Sequence, residues 1–371
     1  MRGRERRLLA RRGPGAPLLL LLLGACGLLA GTCWVLVPPR LGPVPAPPRP
    51  GPGPPPRTSS VLLWWEPFTG RPVSRPPPDC LRLFGISGCR ALTARSDYPA
   101  AEAVLLHHRD AARASCALPG HCPAAPRPPG QLWVWMNFES PTNSPPLVGL
   151  PAHAFNWTLS YRTDSDVFVP YGRLRPRSHA RDPPAGPAPP LARKRALLAW
   201  VVSHWDERLA RVRYYRQLRR HVPVDVFGRS GHGRPLPRSG LLHTLARYKF
   251  YLAFENSQHR DYITEKLWSN ALLAGAVPVV LGPPRANYER FLPRRAFIHV
   301  DDFRGAAALA AYLRFLDRHP SAYLRHFHWR RSHAVRIISL WDESWCLTCQ
   351  AVQRARGQPG RHRDLTRWFW S

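Results

Sequence analysis

Three kinds of residue in this chain sit where apolar runs end, and each suits a definite chemistry. The stretch FENSQHRDYITEKLWSNALLAGAVPVVLGP (254–283) joins two apolar runs through a polar insert. The insert holds Lys266, one of three lysines (with Lys194 and Lys249) among 54 basic residues. Thr264 suits the N-cap of a helix over EKLWSNALLAG, which puts Glu265 and Lys266 in its first turn. The free amides of a helix N-terminus favour anions, so a cation there is out of place. A phosphate that accepts from those amides and pairs with the ammonium resolves the conflict; the plainer reading is a solvated surface lysine. Glu139, in WVWMNFESP, ends another apolar run, where a carboxylate could face a cleft and accept a proton; the plainer reading is a glutamate capping the turn before Pro141. Arg208, Arg211 and Arg213, in DERLARVRYYRQL, each offer a planar fork matched to phosphate oxygens, and spacing alone does not choose among them.

These residues need elements to hold them. VLLWW at 61, AVLLHH at 103 and LWVWM at 132 are short, continuous and bounded by polar or Pro/Gly breaks, as buried strands are. After the Pro-rich RPRSHARDPPAGPAPPLARK the same grammar restarts. ALLAWVVS at 196, VDVFG at 224, FYLAFE at 250, AVPVVLG at 276 and AFIHV at 296 predict strands, with helices over 206–221 and 264–274 between them. Leu209, Val212 and Leu218 would supply the inward face of the first of these helices. Two α/β units joined near 174–194 are the economical reading. In such sheets ligands sit beyond the carboxyl ends of the strands, where Glu139 and the 255–264 insert fall.

The net charge of +31 would suit a nucleic-acid binder, but the N-terminus argues for another setting. Residues 1–17 carry six arginines against Glu5, and 18–37 is an uncharged apolar run long enough to span a hydrocarbon core. A cleaved signal peptide has an apolar core of roughly 7–15 residues followed by a small-residue cleavage site, whereas a Pro-rich segment follows here. The reading is an uncleaved type II anchor: cytosolic tail 1–17, transmembrane anchor 18–37, a Pro-rich stem 38–60 and a luminal body. Membrane rather than nucleic acid is then the partner, and the remaining basic excess suits anionic ligands. An oxidising lumen favours disulfides over zinc for Cys80, Cys89, Cys346 and Cys349. Cys116 and Cys122, in a Pro-rich insertion, suit a further loop disulfide. Luminal topology also makes Asn156, in the sequon NWT, a candidate for glycosylation.

The 248–283 run resembles the long signature of the α1,3-fucosyltransferases, glycosyltransferase family 10. The similarity continues through VLLWWEPF, AVLLHHRD, WVWMNFESP, FNWTLSYR, DSDVFVPYG, WVVSHWDER and FIHVDDF, covering nearly all of 61–350, and within the family WVVSHWDERLARVRYY with RANYERF is most like the myeloid branch. The resemblance implies a Golgi membrane enzyme moving fucose from GDP-fucose to the 3-hydroxyl of N-acetylglucosamine, with inversion, on lactosamine-bearing glycoproteins and glycolipids to give Lewis X-type products. It implies a GT-B fold of two Rossmann-like domains: an acceptor-side domain at 61–185, a GDP-fucose-binding domain at 195–350 and a tail at 351–371. It assigns the catalytic base to Glu139 and donor binding to Arg211, Asn256, Tyr262, Glu265 and Lys266, and it ties the two early cysteines to the late pair. Arg260 and Asp261 fall in a loop that varies among members and receive no role. Asp164-Ser165-Asp166 could hold a metal in a different glycosyltransferase class, but the family carries this triplet without that use. No essential metal is therefore expected, and modest stimulation by a divalent cation is compatible. Thr163 stands where many members have arginine, which bears on acceptor choice. A non-catalytic Golgi protein that binds anionic glycans would use the basic excess and need neither Glu139 nor Lys266.

Overall fold

Runs such as AVLLH and VPVVL have no polar side, so they are stable only with cover on both faces, and both lie wholly buried inside parallel sheets. The computed structural model describes residues 58–64, 76–113, 126–147, 150, 153–177, 189, 191–228, 233–236, 240–356 and 364–370. The expected anchor, nearly all of the stem, and Cys116 and Cys122 lie outside the described residues. Among the described residues no helix is long and apolar enough to cross a membrane.

The first sheet comprises β1 (Ser59–Trp64), β2 (Cys89–Leu92), β3 (Ala103–His107), β4 (Leu132–Asn137), β5 (Trp157–Ser160) and β6 (Val167–Phe168). All are parallel, in the order β2-β1-β3-β4-β5-β6. After β7 (Gly172–Pro176) the second sheet is built from β8 (Ala196–Val201), β9 (Asp225–Phe227), β10 (Tyr248–Phe254), β11 (Val277–Leu281) and β12 (Ile298–His299). It too is parallel, in the order β12-β11-β10-β8-β9. Counted from its own first strand, each sheet has the doubly wound order in which the first and third strands are neighbours. The winding reverses between them, which opens a crevice at their carboxyl ends. Pro278 is tolerated inside β11 because the ladder to β12 begins only at Val279.

Helix Ala306–Arg318 covers one face of the second sheet with Ala306, Leu309, Ala310, Leu313 and Leu316, an i, i+3, i+4 stripe. The chain then returns to the first sheet. β13 (His333–Ile337) pairs antiparallel with β7, and helix Leu340–Arg354 packs Trp345, Cys349 and Val352 against Val61, Leu105 and Met136. Disulfides Cys80–Cys346 and Cys89–Cys349 fasten this helix from one face, since 346 and 349 are one turn apart. The last helix, Leu365–Trp370, covers the opposite face with Leu365 and Phe369 on Leu62, Val104 and Trp135. The expected division at residue 350 therefore falls inside a helix that packs on the first sheet.

Candidate active site

The loop after β4 is fixed by its own polar side chains. Asn137 is buried; its Nδ2 donates to Ser144 Oγ (2.8 Å) and its Oδ1 accepts from the Glu139 N–H (3.1 Å), an Asx-type turn. Tyr171 Oη donates to the Phe138 carbonyl (2.5 Å), and Trp370 Nε1 donates to the Ser144 carbonyl (2.9 Å). The Glu139 carboxylate stands out from this frame, its side chain 36% exposed. Tyr262 Oη donates to Glu139 Oε2 (3.2 Å), and Arg109 Nη2 lies 3.6 Å from Glu139 Oε1. A carboxylate with one hydrogen bond, a cation at a distance and an open side can take up a proton.

The facing loop follows β10. Glu255 is buried and accepts from the Thr264 N–H (2.8 Å) and hydroxyl (2.9 and 3.0 Å). Thr264 is the N-cap expected from the sequence, accepting from the Lys266 N–H, but the α-helical turn Glu265–Leu267 passes at once into a π turn, Trp268–Leu273. That turn drives the Trp268 ring onto β7, where a Cβ on Gly172 would lie 2.5 Å from the indole, so only glycine fits. The Lys266 side chain is 13% exposed, and its Nζ sits among Thr264 Oγ1 (2.9 Å), Glu265 Oε1 (3.0 Å) and Glu255 Oε2 (3.2 Å). Burial alone would depress the ammonium pKa, but Glu255 and then Glu265 outweigh it and raise it, so the lysine is charged. Burial raises the Glu255 carboxyl, against the pull of Lys266; in half-exposed Glu265 burial is overcome by Lys266 and the carboxyl is lowered. Asn256 Oδ1 accepts from Ser257 Oγ (3.1 Å).

Of the three candidate arginines only Arg211 points inward. It shares the buried face of helix Ala210–Leu218 with Val212, Tyr215 and Leu218, whereas Arg208 is 90% exposed and paired with Asp206, and Arg213 is exposed. Arg211 Nη2 donates to the His204 carbonyl (2.5 Å), and its buried Nε has no hydrogen-bond partner among the described residues. Burial lowers its pKa, and the fields of Glu255, Tyr262 and Glu265 act on the guanidinium against that. Its helix follows β8 while Glu255 and Lys266 follow β10, so the cluster flanks the crevice where the second sheet reverses its winding.

The two loops meet. Besides Tyr262 on Glu139, Ser257 Oγ donates to Ser140 Oγ (2.7 Å), and Thr142 Oγ1 lies 2.6 Å from His259 Nε2. Tyr161 packs edge-on against Tyr262, ring centres 5.1 Å apart. Asp164 and Asp166 do not converge: Asp164 is bidentate with Arg162 (2.8 and 2.9 Å), while Asp166 accepts from the Thr158 N–H and hydroxyl (both 2.8 Å). Among the described residues no cluster of metal-ligand type occurs. Asn156 is buried, its Oδ1 accepting from the Trp133 N–H (2.9 Å) and from Arg127. Sequence reasoning passed over Glu255, Asn287 and Arg290, and gave Asp261 no role because its loop varies among family members. An acid directly behind a wholly apolar strand was the available signal for Glu255; the other three act through contacts that no local pattern encodes.

A cavity of about 1250 Å³, lined by Glu102, Gln131, Trp157 and Arg356 among others, lies elsewhere. It opens at the amino ends of β4 and β5, opposite Glu139. The charged and titratable groups converge instead at the carboxyl ends, and those ends are where this sheet type binds ligands.

Residues 56–172 match the family described as fucosyltransferase, N-terminal, and residues 191–368 match glycosyltransferase family 10 (fucosyltransferase) C-term. The chain is 59% identical over 395 residues to alpha-(1,3)-fucosyltransferase 4 of Homo sapiens, covering 97% of this chain and 73% of that one. It is 51% identical over 313 residues to alpha-(1,3)-fucosyltransferase 7 of Bos taurus, covering 84% and 86%. Among solved structures it resembles a crystal structure of an alpha1,3-fucosyltransferase with GDP-fucose, with a TM-score of 0.50 at 16% identity, over 83% of this chain and 94% of the other. At that identity the likeness speaks to the fold alone.

Proposed function

This chain belongs to glycosyltransferase family 10, the fucosyltransferases, and from that premise we propose that it transfers L-fucose from GDP-fucose to the 3-hydroxyl of N-acetylglucosamine in lactosamine glycans. The fold is then of GT-B type, the products are Lewis X-type, and the enzyme is a single-pass type II Golgi membrane protein with its catalytic body in the lumen. The observation that carries this reading is the meeting of the two carboxyl-end loops, which sets Glu139 against Tyr262 within the same cluster as Arg211, Glu255 and Lys266.

The chemistry follows from that placement. Glu139 takes the proton of the acceptor 3-hydroxyl as its oxygen forms a bond to the fucose anomeric carbon. The bond from that carbon to the β-phosphate oxygen breaks with inversion, and its electron pair leaves on GDP. Charge on the departing diphosphate grows toward Arg211, with its unpartnered Nε, and toward Lys266, which shifts weight from its two carboxylates to the phosphate. Glu265, half exposed, suits acceptance from ribose hydroxyls, with Asn256 and Tyr262 lining the donor. No metal is needed to balance the diphosphate in this scheme, and mild stimulation by a divalent cation remains compatible with it.

The test uses the full chain in detergent with GDP-fucose and N-acetyllactosamine, reading the product linkage by NMR. Wild type should form the α1,3 linkage. Glu139→Gln keeps the side-chain shape but cannot accept the proton, and should lose on the order of 10² to 10⁴ in kcat while binding GDP as wild type does. Near-normal turnover in the Gln variant removes Glu139 from the role; binding of glycans without turnover in wild type would leave a non-catalytic lectin.

A further inference from the structure

Asp261 stands outside the catalytic scheme, yet its environment is the most constrained in the cleft. It is the one non-glycine with positive φ (62°) among the described residues, a left-handed conformation that costs free energy unless the surroundings enforce it. Its side chain is fully buried. Oδ2 accepts from the Thr163 N–H (3.0 Å) and hydroxyl (2.8 Å), both on the loop between β5 and β6. Oδ1 accepts from Asn287 Nδ2 (2.6 Å) and Arg290 Nη1 (3.2 Å) of the segment after β11, and the Asp261 N–H donates to Asn287 Oδ1 (2.6 Å). Arg290 Nη2 closes the ring by donating to Thr163 Oγ1 (2.9 Å). One carboxylate thus joins three loops and both sheets, and the next residue along the chain is Tyr262, whose hydroxyl rests on Glu139.

Resting on the transfer reaction proposed above, we infer that Asp261 is a positioning residue: its clamp on Thr163, Asn287 and Arg290 forces the left-handed turn that delivers the Tyr262 hydroxyl to Glu139 and sets the donor side against the acceptor side. A carboxylate is required because every group facing it is a donor. An amide nitrogen in place of either oxygen would meet a donor head-on. Thr163, where many family members have arginine, is one jaw of this clamp, so it acts on the cleft by fixing the turn and need not touch the acceptor.

Asp261→Asn keeps volume and tolerance for the turn, and Asp261→Gly keeps the turn alone, since glycine adopts positive φ freely. Each should lower kcat about tenfold, as should Tyr262→Phe, the cost of one lost hydrogen bond to a charged group. If Asp261 acts through Tyr262, the double variant Asp261→Asn/Tyr262→Phe loses no more than either single one, whereas independent structural damage multiplies the losses. In Asp261→Asn, GDP affinity by calorimetry should stay within about twofold, because Arg211 and Lys266 are untouched. Full kcat in Asp261→Gly, or multiplied losses in the double variant, overturns the inference. Hydrogen exchange gives a readout independent of activity: in Asp261→Asn, protection should fall in 256–264 and in 137–144 together. Unchanged protection in 137–144 overturns the inference even if wild type transfers no fucose, and that last result would sink the functional reading separately.

Discussion

The two sheets share one strand order but are finished in different ways. The second is completed mainly by its own contiguous chain, helices and loops between residues 191 and 331, with Tyr171, Leu174 and Val335 at the β7–β13 pair adding to one face. The first borrows its cover from the far end: helix Leu340–Arg354, held by two disulfides with sequence separations of 266 and 260, on one face, and helix Leu365–Trp370 on the other. Their carboxyl ends differ too. Beyond the second lie Arg211, Glu255, Glu265 and Lys266, a compensated set of charges. Beyond the first, a single exposed carboxylate stands on a loop braced by aromatics from distant parts of the chain, Tyr171 and Trp370. If the proposed roles hold, a donor site built on neighbouring sequence and a base held by remote sequence should fail in different ways when perturbed.

The largest expected effect comes from removing the borrowed cover. Phe369 is buried, with its ring centre 4.7 Å from that of Trp135, and Trp370 holds the Glu139 loop. Phe369→Ala should cost about 3–5 kcal/mol, as large-to-small aromatic changes in cores do, measured by denaturant unfolding of the full chain in detergent. Molecules that remain folded should bind GDP normally. A cost within about 0.5 kcal/mol, the range of surface changes, would mean that the first sheet is complete without its C-terminal helix.

That asymmetry also governs how much could be read from the sequence. The runs at 196, 224, 250, 276 and 296 all became strands of the second sheet, and Thr264 became the N-cap, because burial on both faces and a local cap leave marks in adjacent residues. In the first sheet β5 escaped notice: its WTLS buries Thr158 and Ser160, which are satisfied by Asp166 and Ser165, so it never reads as an apolar run. β2, at the sheet edge, alternates too weakly to stand out. The 351–371 segment reads as a tail, since nothing local shows that Leu365 and Phe369 fill a face made by Leu62, Val104 and Trp135 in a distant part of the chain. Lys266 was singled out by its rarity, but its pairing with Glu255 across ten residues of loop and turn was not legible. Choosing Arg211 over Arg208 and Arg213 needed either the family resemblance or the helix's real orientation.

An intermediate effect comes from acid. Burial is the main cause that lowers His107 to about 3 and His108 to about 4; neighbouring His108 and Arg109 add to the former, while in the latter the Pro145 backbone opposes it and Arg109 adds to it. The geometry agrees: each Nδ1 accepts, from the Arg109 N–H (3.3 Å) in His107 and from Trp135 Nε1 (3.3 Å) in His108, so neither nitrogen can carry a proton. His326 likewise is lowered by burial, against the Arg295 carbonyl 2.7 Å from its Nδ1. Because the folded pKa values lie below the unfolded one, near 6.5, the unfolded chain takes up protons first. Stability is then full above about pH 6.5 and falls as pH drops toward 4, by up to about 1.4 kcal/mol per pH unit for each histidine. Denaturant melts between pH 7 and 5 should show the decline, and His108→Gln should flatten it. A pH-independent midpoint, or a decline untouched by that change, would place the acid-sensitive groups elsewhere.

The smallest effect is the sharpest probe of the charged end. Lys266 neutralises Glu255 and Glu265; if it also holds the diphosphate of GDP-fucose, as proposed, the phosphates compete with two carboxylates for one ammonium. Two substitutions should therefore move GDP affinity in opposite directions. Glu255→Gln retains an acceptor for the Thr264 N–H and hydroxyl but frees Lys266 from one rival, and should tighten GDP by roughly fivefold, about 1 kcal/mol. Lys266→Ala removes the cation and leaves both carboxylates facing the phosphates, so it should weaken GDP and GDP-fucose and slow transfer as charge builds on the leaving group. Lys266→Arg should restore only part of this, because a planar fork cannot replace a compact ammonium among Thr264, Glu255 and Glu265. Guanosine lacks the phosphates and should bind all these variants as it binds wild type. Calorimetry with guanosine, GDP and GDP-fucose decides the matter. Equal losses for guanosine and GDP in Lys266→Ala would mean a damaged pocket, and weaker GDP binding in Glu255→Gln would mean that the buried acid helps to build the phosphate site instead of competing with it.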